Sequence, residues 1–301
     1  MEKTSSLKTH FSEDGIQFVW DSTSLSLLKT CPMKYKLAMI DDLVSKGKSI
    51  HLEFGILAHS ARELYYKKRV LENLDHEDGL RAAIKWAAVA AKNLPPDNRK
   101  TPYHLLLFLV TYLDFYENDP CETYILPNGD PAVELSFKLD IGPYMLAGHI
   151  DRVVRFNGKI FLTDLKTTTT SLGEDYFRQY SPNNQLSLYD FAGSHILPEE
   201  DKPVGIIVDA VQILSNGIRC ERRIITRTNS QREEWLGDFL QWMQTNQYYH
   251  NTDHYPMNDT ACNQFGRCVF RDQHCSLIPS LRRSALETFF EKKIWNPLDN
   301  R

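Results

Sequence analysis

The chain has 301 residues, 42% hydrophobic and 25% charged, and a formal charge of −4, enough apolar material for one large domain or two small ones. That acidic balance argues against a protein that coats nucleic acid non-specifically, while leaving room for a local basic groove. The longest apolar run, Leu105–Val110, is far short of the roughly 20 residues needed to span a bilayer, and the start of the chain has no apolar signal-peptide region, so a soluble intracellular protein with no membrane partner is expected.

Ile16–Trp20 alternates as a short strand would. Asp21 with Ser22–Ser24 signals the N-cap of a helix from Leu25 to about Ile40, kinked or broken at Pro32. Residues 51–72 place Phe54, Leu57, Ala58, Ala61, Leu64 and Tyr65 near the helical period. Helices over 77–94 and 101–118 follow, separated by Pro95-Pro96-Asp97-Asn98. Strands are expected at Ala132–Ile141, Met145–Phe156 and Lys159–Thr167, then a helix from Asn183 to about His195. A strand pair, Val204–Leu214 and Ile218–Thr226, surrounds Ser215-Asn216-Gly217, and a helix over about Ser230–Thr245 precedes a cysteine-rich segment. The order reads as an α/β or α+β core with a helical insert over 75–125.

Asn157-Gly158 lies between two alternating runs and is the strongest short hairpin signal a sequence carries. If it is the whole loop, Phe156 pairs with Lys159 and Asp151 falls directly opposite Asp164. Lys166 then shares their face and Leu165 points the other way. Like charges directly opposite destabilise a bare sheet, so a positive group should lie between them. Strands are depleted in Asp, and a buried carboxylate is costly unless paired or metal-bound. Two carboxylates and an ammonium read as a hard-metal site with a built-in base or charge stabiliser; a buried Asp–Lys ion pair is the competing structural reading. Glu134 is a further acidic candidate or a solvent-facing strand residue. His59, alone, reads as a structural histidine, and Gln185 and Tyr189, four apart, share a helix face.

Of the six cysteines, Cys262, Cys268 and Cys275 fall within fourteen residues. In an intracellular chain such a group is more often a metal or iron–sulfur site than a disulfide framework. Gly266 would let the backbone curl there, and Cys31 is the best fourth ligand, so that segment 255–280 closes onto it. Gaps of five and six residues, with the fourth ligand far away, favour a cluster over Zn²⁺, whose structural ligands usually come in close pairs. Cys121 and Cys220 read as ordinary buried or half-buried thiols. Basic residues gather at Lys34 and Lys36, Lys46 and Lys48, Lys67-Lys68-Arg69, Arg219 to Arg227, and Arg282-Arg283.

Together these residues resemble the RecB-type branch of the PD-(D/E)xK nuclease superfamily, in particular its iron–sulfur members: the CRISPR-associated adaptation nucleases, the AddB nuclease domain and phage-encoded exonucleases. The resemblance is carried in order by Gly55-x-x-x-His59, Gly148-x-x-Asp151, Asp164-x-Lys166 and Gln185-x-x-x-Tyr189, with one cysteine before and three after, over about residues 24–276. The first cysteine gap is wider than the Cys-x2-Cys typical of those members. No Gly-x-x-x-x-Gly-Lys-Ser/Thr motor motif is present.

The resemblance implies a restriction-endonuclease-like α/β core, a small mixed sheet flanked by helices, within a single nuclease domain over 1–301. It implies a deoxyribonuclease, an exonuclease first, acting on single-stranded DNA or a duplex end, alone or with a separate helicase or recombination protein. A non-catalytic or CRISPR-adaptation-like DNA-processing accessory protein, acting in recombination or repair, is the alternative. His59, Asp151, Asp164 and the Leu165 carbonyl would hold Mg²⁺ or Mn²⁺. Lys166 would position or help deprotonate the attacking water, or stabilise the transition state, with Gln185 and Tyr189 orienting Lys166 or contacting the DNA backbone. Cys31, Cys262, Cys268 and Cys275 would hold a structural [4Fe-4S] cluster. The bacterial cytoplasm, or a phage host's, is the expected setting.

Overall fold

Asp21 opens the first helix as a reciprocal cap: its carboxylate accepts from the Ser24 N–H, and the Ser24 hydroxyl accepts from the Asp21 N–H. In this computed structural model, which describes residues 9–264 and 267–299, a two-residue strand β1 (Val19–Trp20) leads into α1 (Ser22–Thr30). The helix stops at Cys31, whose backbone is extended, and Pro32 starts α2 (Pro32–Tyr35), which runs into a π-helical turn at Lys36–Ile40. The break expected at Pro32 therefore leaves the Cys31 thiol at a helix junction. Gly266 lies outside the described residues.

The chain continues through β2 (Leu43–Ser45), α3 (Ile50–Leu71), α4 (His76–Ala90), α5 (Pro102–Phe115), β3 (Glu122–Thr123), β4 (Val133–Ile141), β5 (Tyr144–Phe156) and β6 (Lys159–Thr168). After these come α6 (Glu174–Arg178), α7 (Asn184–Ile196), β7 (Ile206–Leu214), β8 (Gly217–Ile225), α8 (Asn229–Asn251), α9 (Pro279–Phe289) and β9 (Phe290–Lys292). Asp75, Thr101 and Asn183 each accept a backbone N–H at a helix start, which is why these polar residues mark the boundaries. The short elements β2, β3, α6, α9 and β9 had no sequence signal. For β2 the reason is plain, since its partner is β9, near the other end of the chain.

By its contacts the chain divides into two units. One comprises residues 1–47, 138–148 and 229–301; the other comprises 48–137 and 149–228. In the first, β1 runs parallel to the start of β5, at Met145 and Leu146, and β2 pairs antiparallel with β9. Trp20 stacks on Tyr35 with ring centroids 5.5 Å apart, and Phe270 stacks on Phe290 at 4.7 Å beside Leu37.

The second unit is mixed α/β, a sheet flanked by helices. β5 and β6 form an antiparallel hairpin, β6 and β7 run parallel, and β7 and β8 are antiparallel. Asn157 and Gly158 both have positive φ, 49° and 73°, as a two-residue type I′ turn requires. One face of the sheet, through Leu165, Val211 and Ile213, packs on Phe54, Ala58 and Ala61 of α3, Ala83 and Ala87 of α4, and Leu105, Phe108 and Leu109 of α5. Each large apolar side chain buried there contributes about 1.5–3 kcal/mol, so Leu165→Ala would cost about 2–5 kcal/mol. Against β6 lies α7, which comes close because Gly193 has no side chain: a Cβ there would meet Leu162 Cδ1 at 2.9 Å.

Candidate active site

The hairpin register runs as counted, from Phe156–Lys159 to Arg152–Thr163, and ends there. The next position of that register sets Asp151 opposite Asp164, but the ladder of backbone hydrogen bonds does not extend to this pair. Past the last rung the Asp151 carboxylate turns to the partner backbone instead, and Oδ2 accepts the Leu165 N–H at 2.7 Å. That hydrogen bond fixes the carboxylate against β6.

The positive charge expected between the two carboxylates is supplied separately to each. Lys166 Nζ donates to Asp164 Oδ1 at 2.9 Å, and Arg62 Nη2 lies 3.4 Å from Asp151 Oδ2. Leu165, between Asp164 and Lys166, is fully buried in the helix-facing core, as alternation requires.

His59 projects from α3 to the same place. Nε2 donates to the Leu165 carbonyl at 3.0 Å, while Nδ1 lies 3.2 Å from Asp151 Oδ2 and 3.9 Å from Glu134 Oε1. His59, Glu134 and Asp151 thus present three ligand atoms within 4.8 Å of one another. Asp164 stands just outside this group. Its Oδ2, in a fully buried carboxylate, has no hydrogen bond although Lys166 Nζ lies 2.9 Å away. A hard cation suits this donor set of carboxylate oxygens, a carbonyl and one imidazole.

Glu134, a second choice from sequence, is the member that sequence reasoning undervalued. It takes φ = 50° inside a strand region, a backbone state that costs non-glycine residues of order 1–3 kcal/mol and recurs at functional sites. The irregular backbone aims the carboxylate at His59, and no residue pattern announces it.

Lys166 is held from α7. Gln185 Oε1 accepts from Lys166 Nζ at 2.8 Å, and Gln185 Nε2 donates to the Tyr189 hydroxyl at 2.9 Å. The four-residue spacing places both on one helix face, and Asn183 caps the helix that carries them.

Charge on these groups follows from burial and proximity. Burial opposes an imidazolium at His59, but Asp151 and Glu134 outweigh it and raise the pKa above the ordinary 6.5. Burial pushes the Glu134 carboxyl up, yet His59 pulls it below its ordinary value. Burial raises Asp164 against the pull of Lys166, and Lys166 is held above its ordinary value by Asp164 and Asp151 although burial opposes its charge.

Arg62, three residues after His59, had no place in the sequence reading. It is 3% exposed and also reaches Asp209 Oδ2 at 3.8 Å. Asp209 accepts from the Tyr112 hydroxyl and pairs with Arg222 at 3.0 Å. An arginine buried on the His59 face of α3 was legible only as part of a helix surface.

In the other unit, Cys31, Cys262, Cys268 and Cys275 line one cavity of about 390 Å³ together with Lys34, Asn258 and Arg271. The Asn258 N–H lies 3.4 Å from Cys31 Sγ, and the Asn258 side chain donates to the Thr30 carbonyl at 2.8 Å. Burial, with the neighbouring Cys268, Cys31 and Cys262, pushes the Cys275 thiol up to about 11. Cys121 and Cys220 belong to the sheet unit, and burial pushes their thiols to about 11 and about 12.

The family model of the PD-(D/E)XK nuclease superfamily matches residues 22–275. Among solved structures, the chain is similar to a Eubacterium rectale protein described as "Putative exonuclease", at 13% identity, over 92% of this chain and 100% of that one, with a TM-score of 0.51. At that identity the likeness is one of fold. It is also similar to SSO0001, at 14% identity over 76% of this chain and 95% of that one, with a TM-score of 0.34. No curated protein matches the chain. Among the described residues, no helix is long and apolar enough to cross a membrane.

Proposed function

The chain belongs to the PD-(D/E)XK nuclease superfamily, and from that premise we propose that it is a metal-dependent deoxyribonuclease, an exonuclease of the RecB/AddB-like iron–sulfur branch. The observation that carries the reading is the convergence of His59, Glu134, Asp151 and Asp164 beside a lysine oriented through Gln185 and Tyr189.

His59, Glu134, Asp151, Asp164 and the Leu165 carbonyl would hold Mg²⁺ or Mn²⁺, the imidazole tilting the choice towards Mn²⁺. When bound, the ion would lower the pKa of a bound water and neutralise charge developing on the scissile phosphate. Lys166 positions the attacking water or stabilises the transition state. Asp164 and Asp151 hold its charge in place in the metal-free protein; a divalent ion beside the ammonium would favour the neutral amine. Gln185 keeps the ammonium aimed; because an ammonium only donates, Lys166 fixes the amide with its oxygen inward, and Tyr189 anchors the amide nitrogen at the far end.

Cys31, Cys262, Cys268 and Cys275 would hold a structural [4Fe-4S] cluster. A single tetrahedral zinc, with Zn–S bonds of ~2.3 Å, would draw its sulfurs to within ~4 Å of one another. Four thiols around a cavity of about 390 Å³ suit a larger group. Bound there, it would tie the α1–α2 junction to the segment before α9.

End-labelled linear and circular DNA, single- and double-stranded, incubated with Mn²⁺ and wild-type protein beside Lys166→Ala, tests the reading. Shortening of linear substrates by the wild type alone is expected. Equal action of the two proteins would remove the nuclease assignment, and cutting of circles would replace exonuclease by endonuclease.

A further inference from the structure

We propose that Arg62 is a positioning residue that acts as the built-in second cation of the site, fixing Asp151 and limiting the acidic group to a single divalent ion. This rests on the metal-dependent reading above and deepens it.

Arg62 is buried and cannot swing away. Nη2 lies 3.4 Å from Asp151 Oδ2 and Nη1 lies 3.8 Å from Asp209 Oδ2. Asp209 is itself anchored by the Tyr112 hydroxyl and by Arg222 at 3.0 Å. Arg222 in turn grips Asp119 at 2.8 Å and lies over the Tyr116 ring at 3.5 Å. Tyr112 and Arg222 come from α5 and β8, so the guanidinium is braced from behind by the helical layer and the sheet together. A guanidinium cannot be deprotonated in a protein, so its charge is permanent.

Two-metal nucleases set their ions about 3.5–4 Å apart to clamp the attacking and leaving oxygens, and ions that close need carboxylates to share. Asp151 Oδ2 is already committed: it accepts the Leu165 N–H at 2.7 Å and faces His59 Nδ1 at 3.2 Å as well as Arg62. The charge count points the same way. In the metal-free protein Glu134, Asp151 and Asp164 face the permanent cation Arg62 and the ammonium of Lys166, which leaves one net negative charge with His59 neutral. One divalent ion already reverses it, and a second would enter a positive surrounding. If Arg62 served only to neutralise the buried Asp209, its removal would change stability and leave the number of ions unchanged.

The test is the Mn²⁺ stoichiometry of the full-length protein, by titration calorimetry and by electron paramagnetic resonance at saturating Mn²⁺. Wild type is expected to bind one ion and to show an uncoupled spectrum. Arg62→Gln should bind two and show spin-coupled Mn²⁺ pairs, while Arg62→Lys, which keeps the charge, should stay at one. Should Arg62→Gln fail to fold, the double variant Arg62→Gln/Asp209→Asn, which removes both charges of the buried pair, is expected to bind two. Two ions in the wild type, or one in every foldable variant that lacks the charge, would overturn the inference and leave the metal-site reading intact. No Mn²⁺ bound to the wild type would remove both.

Discussion

Lys166 Nζ donates to Gln185 Oε1 at 2.8 Å, and the far end of the same amide donates to the Tyr189 hydroxyl at 2.9 Å. Because an ammonium only donates, Lys166 fixes the amide with its oxygen inward, and Tyr189 anchors the other end of the side chain that receives the ammonium. The two arms of the site thus come from neighbouring elements: Asp164 and Lys166 from β6, and their orienting pair from α7.

A graded series should follow from this relay. Lys166→Ala is expected to lower cleavage by ~10²–10⁴-fold, the range for losing a positioned acid–base group. Gln185→Ala removes a hydrogen bond to a charged group, worth about 1.5–3 kcal/mol, and should cost ~10–100-fold. Tyr189→Phe removes a neutral hydrogen bond and should cost about tenfold or less. Single-turnover rates at saturating Mn²⁺ read the order, and a Tyr189→Phe loss as large as that of Lys166→Ala would break it.

His59 sets a pH dependence with two opposite signs. Its folded pKa is raised above 6.5 by Asp151 and Glu134, against burial. The stability it contributes to metal-free protein is therefore fully present below 6.5 and lost as pH rises through the raised value. Metal ligation needs the neutral ring, so Mn²⁺ affinity should climb with pH over the same window, by up to about tenfold per pH unit. Melting curves with and without Mn²⁺ should converge at low pH and separate as it rises. His59→Gln should flatten both trends.

The thiols predict a colour test with an internal control. Cys31→Ser, Cys262→Ser, Cys268→Ser and Cys275→Ser should each lose the visible absorbance near roughly 400 nm expected of thiolate-bound iron. Cys121→Ser and Cys220→Ser, in the sheet unit, should keep it. Since Cys275 is pushed up to about 11, loading must release protons, and reconstitution should slow as pH falls. A colourless, zinc-loaded protein after anaerobic purification would sink the cluster assignment.

Gly193→Ala should disturb the site from a distance. The added Cβ meets Leu162 Cδ1 at 2.9 Å and Pro203 Cγ at 3.1 Å; both side chains are packed, so the expected response is a displacement of α7 from β6 at a cost of about 1–3 kcal/mol. A shift of α7 moves Gln185, so cleavage should fall while Mn²⁺ binding persists. Calorimetry beside the rate assay separates the two effects.

Local chemistry made much of this legible in the sequence. Asn157-Gly158 could be read as a turn because few residues tolerate the two positive φ values it needs, and the period-two pattern then brought Asp151, Asp164 and Lys166 into one region. The four-residue spacing of Gln185 and Tyr189 and the N-cap at Asn183 were equally local. Hidden were the features made by distant parts of the chain. Arg62 is buried only because Asp209 waits behind it on β7, and Glu134 enters the site through a backbone angle rather than a residue pattern. Nor did the pattern announce that the ladder stops one rung short of Asp151 and that its carboxylate takes the Leu165 N–H.

The most direct measurement is nucleotide release from end-labelled linear DNA by protein first stripped with chelator and then given Mn²⁺, wild type beside Asp151→Asn. Wild type should be inert after stripping and recover on adding Mn²⁺. Asp151→Asn, folded by its melting transition, should stay inert at every Mn²⁺ concentration. Release by the stripped wild type, or full rescue of Asp151→Asn, would contradict a metal-dependent nuclease centred on this carboxylate.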